Sequence, residues 1–101
     1  MNVRQLTASG PGGVAVLELS GDGVRAALAT LWPGALAAPS GGPRLVRLES
    51  GGEVLDEALV WIETEQRVEL HLHASTPVVA RVLAALSPPM STGDVRPRPL
   101  E

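Results

Sequence analysis

One glutamate and two histidines alternate along a short stretch of the chain, at Glu69, His71 and His73. Alternate side chains of a β-strand point to the same face, so this spacing predicts a carboxylate and two imidazoles side by side. Such a trio could ligate zinc or a related metal, or act as acid and base in proton transfer. It also fits a solvated face or one packed against a second subunit. Because the sequence offers no further ligand nearby, no metal site is predicted.

Other candidate chemistry has a simpler explanation. Residues 10–13 read Gly-Pro-Gly-Gly, but a phosphate loop must open into a helix, and this stretch precedes a predicted strand. The chain also has no lysine, so no Gly-Lys-Ser/Thr sequence follows. Asp56 and Glu57 are adjacent in a predicted strand and point to opposite faces, so they cannot share one substrate. Ser75 fits a helix cap better than a nucleophile, and no catalytic residue is predicted.

Hydrophobic periodicity predicts the elements that carry these residues. Strands are predicted over residues 3–8, 14–19, 44–49, 54–62 and 67–73, and helices over 24–31 and 78–86. Val68, Leu70 and Leu72 should face inward, opposite the Glu69 face. Residues 58–62 are continuously apolar, which predicts a strand buried on both faces. The order β2-α-β3-α predicts an α+β fold, with two helices on one face of a mixed, mostly antiparallel sheet.

Length and composition limit the classes of function. The chain has 101 residues, 45% of them hydrophobic, which predicts one soluble domain over residues 1–87 and a disordered Pro-rich tail over 88–101. Leu100 and Glu101 are expected to come from a cloning vector. The net charge is −3 and the arginines are dispersed, so no direct nucleic-acid binding is predicted. The absence of cysteine fits a cytoplasmic protein, and no membrane span is predicted.

Three stretches together resemble the N-terminal domain of the TrmE (MnmE) family of tRNA-modifying GTPases. They are Thr-Ala-Ser-Gly-Pro-Gly-Gly-Val-Ala-Val-Leu-Glu-Leu-Ser-Gly over residues 7–21, Gly-Gly-Glu-Val-Leu-Asp-Glu-Ala-Leu-Val-Trp over 51–61, and Val-Glu-Leu-His-Leu-His with Pro-Val-Val over 68–73 and 77–79. The resemblance implies half of the fold of folate-binding aminomethyltransferases, binding of a tetrahydrofolate derivative, and a homodimer formed through the first strands. It carries two folate-site positions onto this chain, Glu69 and His73.

The chain departs from the family pattern at several of these positions. Glu18 stands where the family has a folate-contacting arginine, and a carboxylate there would repel the glutamate tail of folate. Ala74 and Ser75 replace two glycines after His73, and only Thr64, Glu65 and Gln66 stand in place of a long loop. The family's GTPase domain and C-terminal cysteine have no counterpart in these residues.

These comparisons predict a dimerisation domain of a tRNA-modification GTPase system that is not an enzyme on its own. Binding of 5-formyltetrahydrofolate is expected to be weakened or lost, and a separate GTPase is an expected partner. Two alternatives stay open on the sequence. The first is a small-molecule or metal-binding domain that uses Glu69, His71 and His73. The second is an interaction module without a ligand.

Overall fold

The computed structural model describes residues 1–6 and 13–86. Five strands and two helices follow one another along the chain, and a short 3₁₀ helix lies over Pro33–Leu36. In chain order they are β1 (Asn2–Gln5), β2 (Val14–Ser20), α1 (Val24–Ala29), β3 (Gly41–Ser50), β4 (Glu53–Thr64), β5 (Arg67–His73) and α2 (Thr76–Leu86). Within the described ranges, no helix is long and apolar enough to cross a membrane.

The strands form one sheet in the order β1-β2-β5-β4-β3, and neighbouring strands are antiparallel throughout. The predicted α+β class and element order are therefore confirmed. β5 lies at the centre because it pairs with β2 on one side and closes a tight hairpin with β4 on the other. Whether this unit is half of an aminomethyltransferase-type fold stays a prediction.

The core lies between the two helices and one face of the sheet. The alternation of apolar and polar residues along β2 and β5 determines which side chains point into the core, since every second side chain of a strand points the same way. Ala15, Leu17 and Leu19 of β2 are completely buried, and so are Val68 and Leu70 of β5, as predicted. The helices contribute Val24, Leu28, Val79, Val82 and Leu86 to the same cluster.

The described residues leave the second face of the sheet open, and this corrects the prediction for residues 58–62. Ala58, Val60 and Ile62 are completely buried, but Leu59 is 40% exposed and Trp61 only half-buried. The helices cover only one face of the sheet, so the alternate residues of β4 point away from them. A continuously apolar strand can therefore have one partly exposed face.

α1 begins after Gly23, which holds the N-cap position with a left-handed φ of 84° and no side-chain cap. The neighbouring Asp22 does not cap the helix. Asp22 instead accepts a hydrogen bond from the Gln66 side chain at 2.7 Å. The glycine-rich loop at 10–13, the predicted strand beyond Gln5 and the Pro-rich tail lie wholly or partly outside the described residues.

Candidate functional site

The open face of the sheet carries the predicted site residues. Strand register places Glu69 between Glu18 of β2 and Trp61 of β4, and it places His71 between Val16 and Leu59. His73 follows at the end of β5, opposite Val14. The prediction that Glu69, His71 and His73 share one face of a strand is therefore confirmed.

Glu69 and His71 form a contact pair in the middle of this face. Nε2 of His71 lies 3.1 Å from a carboxylate oxygen of Glu69, and both side chains are about three-quarters buried. The His71 ring also packs against Trp61, with ring centroids 4.4 Å apart and planes tilted by 45°. This packing holds the imidazole in place between an aromatic ring and a carboxylate.

His73 has a different partner, which sequence reasoning missed. Its Nδ1 lies 2.6 Å from Oδ1 of Asp56, and its backbone N–H donates to Oδ2 of the same carboxylate at 2.9 Å. The Asp56 side chain is only 8% exposed, whereas that of His73 is 75% exposed. The available signal was the short turn between β4 and β5, because a tight hairpin brings the start of β4 back to the end of β5.

The three predicted residues thus form two separate contacts rather than one centre. Among the residues the structure describes, no group of three or more histidine and acidic side chains is arranged to hold a metal ion. Glu57, the neighbour of Asp56, lies 3.9 Å from Arg47 across the β3–β4 pair. The two adjacent carboxylates therefore have different partners, as their opposite directions along the strand predict.

Glu18 is the most buried charged residue of the open face. Only 6% of this residue is exposed, and its two carboxylate oxygens contact two arginines from neighbouring strands. Arg4 of β1 lies at 3.1 Å and Arg67 of β5 at 2.5 Å. Arg67 also contacts Glu63 at 3.3 Å. Glu18 therefore joins three strands through charge-assisted hydrogen bonds, which are stronger than neutral ones.

A cavity of about 330 Å³ lies on the open face, at the end of β5 that carries His71 and His73. Apolar residues from four strands form much of its lining, and Glu57, His71 and His73 add polar groups. The apolar members include Val14, Leu45 and Leu59, which are 54%, 67% and 40% exposed. The open face thus combines an apolar concave surface with two imidazoles, each in contact with a carboxylate.

Comparison with known proteins relates the chain to one family. It is 42% identical over 100 residues to the tRNA modification GTPase MnmE of Rhodospirillum rubrum, a match that covers 79% of this chain and 22% of that protein. It is 36% identical over 102 residues to MnmE of Paramagnetospirillum magneticum, covering 94% of this chain and 22% of the relative. A third match, to MnmE of Cereibacter sphaeroides, has 41% identity over 88 residues. No protein-family model matches the chain.

These matches cover most of this chain but only about one-fifth of each relative. They agree in name and in extent, and they bear out the resemblance carried by the three sequence stretches. The chain therefore belongs to the tRNA modification GTPase MnmE family and corresponds to a partial, N-terminal-like region of its members.

Proposed function

We propose that this chain is a non-catalytic dimerisation domain of a tRNA-modification GTPase system, with folate binding that is weakened or lost. The observation that carries the proposal is its 36–42% identity to about a fifth of MnmE. A GTPase domain, on the same or a separate chain, is the partner that this function requires. The alternative metal-binding function has no support in the arrangement of Glu69, His71 and His73.

The first strands are the proposed dimer interface. All four residues of β1 are exposed, and β1 is an edge strand that pairs only with β2 in the described sheet. Edge strands offer unpaired backbone groups to a second chain. Three apolar side chains along β1 and β2 are also exposed: Val3 at 36%, Leu6 at 42% and Val14 at 54%. Their burial against a second copy would stabilise a dimer through the hydrophobic effect.

Light scattering and sedimentation test this interface. The protein is expected to be a dimer at micromolar concentration, and the double change Val3→Asp with Leu6→Asp is expected to weaken dimerisation at least about tenfold, or about 1.4 kcal/mol. The matched control is Leu36→Asp, an equally apolar and 66% exposed position on the 3₁₀ helix, which should leave the dimer unchanged. A wild-type monomer at hundreds of micromolar would contradict the proposal.

Weakened folate binding is supported by the contacts of Glu18. A negative side chain occupies the position where the family pattern has an arginine, and folate ends in a negatively charged glutamate. The nearby Arg4 and Arg67 do not replace that arginine, because both guanidinium groups already contact Glu18. The Glu69 side chain is about three-quarters buried and in contact with His71, so a ligand that needs its carboxylate must compete with this imidazole.

Calorimetric titration with 5-formyltetrahydrofolate tests this part of the proposal. Binding is expected to be weaker than about 100 μM, that is, less than about 5.5 kcal/mol of binding free energy. Glu18→Gln removes the negative charge and keeps a hydrogen-bond acceptor, so it should strengthen binding if charge is the main obstacle. The control Glu65→Gln removes an exposed carboxylate that contacts Arg25 and does not line the cavity, so it should leave binding unchanged. Low-micromolar binding by the unchanged protein would show that Glu18 does not impair the site.

A further inference from the structure

Strand β3 forms the edge of the sheet opposite β1, and it is the longer of the two edge strands. It covers ten residues, Gly41–Ser50, and pairs with β4 alone in the described sheet. A long edge strand exposes backbone N–H and C=O groups that can pair with another extended chain. Natural edges are usually protected against such pairing, so the protection of β3 determines whether a partner can add to it.

Both ends of this edge are protected. Near the start of β3, Pro43 has no N–H to offer to another strand. Near its end, the N–H of Glu49 donates to the C=O of Leu31 at 2.9 Å, so this group points away from β4 and is already paired. A partner strand could therefore pair only with the part of β3 that lies between these two positions.

The middle of β3 directs backbone groups outward. Leu55, the extra residue of the β3–β4 irregularity, lies on β4, so β3 alternates regularly over residues 44–50. Every second residue of an antiparallel strand directs its N–H and C=O away from its partner. Since the N–H of Glu49 points away from β4, the backbone groups of Leu45 and Arg47 do so as well.

The exposed side chains of this edge specify what kind of strand could pair with it. Leu45 is 67% exposed and the Arg47 side chain 61%, and alternation places both on the open face together with the exposed Glu49. Arg47 contacts Glu57 at 3.9 Å, and exposed ion pairs add little stability, so its guanidinium can exchange partners. An apolar, a positive and a negative side chain therefore follow one another at alternate positions.

We propose that β3 binds an extended segment of a partner protein as an added antiparallel strand, with an apolar residue opposite Leu45, an acidic residue opposite Arg47 and a basic residue opposite Glu49. Backbone hydrogen bonds supply affinity in strand addition, and alternate side chains supply specificity. A second copy of β3 fits less well, because pairing its Glu49 with Arg47 would place Gly51 opposite Leu45. The surface does not depend on dimerisation through β1, which is the opposite edge.

Two synthetic peptides of the same composition test this surface. Thr-Arg-Thr-Glu-Thr-Val-Thr places its charges opposite Glu49 and Arg47 as proposed, whereas Thr-Glu-Thr-Arg-Thr-Val-Thr exchanges them. The first is expected to bind at least about fivefold more tightly, because the exchange places like charges opposite each other at two positions. NMR should show that it shifts the amides of Leu45 and Arg47 and slows their exchange with solvent. Equal binding of both peptides, or no binding at millimolar concentration, would overturn the proposal.

Two variants separate the backbone contacts from the charges. Leu45→Pro removes an outward N–H and leaves the pairing with β4, so it should abolish binding of the first peptide while the amide spectrum shows that the fold is kept. Arg47→Glu should weaken that peptide at least about fivefold, and it tests the proposal even if Leu45→Pro does not fold. The matched control is Arg81→Glu, an exposed arginine of α2 that contacts Glu53, which should leave binding unchanged.

Two results with these proteins would contradict strand addition by a partner segment. Peptide binding that survives Leu45→Pro would show that the outward backbone groups of β3 are not used. Concentration-dependent shifts of the Leu45 and Arg47 amides in the unchanged protein without peptide would show that a second copy occupies this edge instead.

Discussion

Replacing Leu70 with alanine is expected to lower the free energy of unfolding by about 3–4 kcal/mol, a large share of the stability of a domain of this size. Leu70 is completely buried at the middle of the central strand. Its direct neighbours across β2 and β4 are Leu17 and Val60, which are also completely buried. Removing its side chain therefore leaves a cavity that these paired strands cannot easily close.

Leu59→Ala is the matched control for this prediction. Leu59 is the same residue type on the adjacent strand, but it lies on the open face and is 40% exposed. Its truncation should cost less than about 1 kcal/mol, because little transfer free energy is lost and no closed cavity forms. Urea unfolding followed by tryptophan fluorescence measures both variants. Equal losses for the two would mean that the open face is buried in solution, for example against another chain.

The contrast between Leu59 and Leu70 also marks how far hydrophobic periodicity predicts this fold. Along β5, apolar residues alternate with polar ones, and the sequence correctly predicts which side faces the core. Along β4, residues 58–62 are apolar on both faces, so the pattern cannot distinguish a covered face from an open one. That distinction depends on how many helices the chain has to cover the sheet, which is a tertiary property.

The candidate site, too, could be predicted from the sequence only in part. Alternation alone places Glu69, His71 and His73 on one face, because the side-chain period of a strand is fixed. It does not reveal their partners, since those come from other strands. Asp56 lies 17 residues before His73, and its role depends on the register of the β4–β5 hairpin. A sequence pattern that treats Asp56 and Glu57 only as neighbours cannot show that one of them contacts His73.

Glu18 is the clearest example of a residue whose structural role the sequence hides. Comparison with the family pattern presents it as a lost arginine of a folate site. Its actual neighbours are Arg4 and Arg67, which are 14 and 49 residues away along the chain. The carboxylate therefore has a structural role whether or not a ligand binds, and simply restoring the arginine would remove that role.

Glu18→Arg is accordingly expected to lower the free energy of unfolding by about 2–3 kcal/mol. The change removes two charge-assisted hydrogen bonds at a residue that is only 6% exposed and places a third guanidinium beside Arg4 and Arg67. Two features moderate the cost. Arg4 and Arg67 are more than half exposed, so water can solvate their guanidinium groups. Glu69 lies directly opposite residue 18 on β5, and its carboxylate can form an ion pair with the new arginine. Chemical unfolding at low and high salt measures the loss, and salt should reduce its repulsive part.

Three further variants separate charge from packing in this prediction. Glu18→Gln should cost only about 1 kcal/mol, because it keeps one acceptor and adds no repulsion. Glu57→Arg makes the same charge reversal at an exposed position whose ion pair with Arg47 is 3.9 Å long, and it should change stability by less than about 0.5 kcal/mol. Adding Arg4→Glu to Glu18→Arg exchanges the two charges between β1 and β2 and re-forms one of the two ion pairs, so it should recover part of the loss. If that exchange recovers nothing, loss of the Arg4 ion pair is not the cause of the instability of Glu18→Arg.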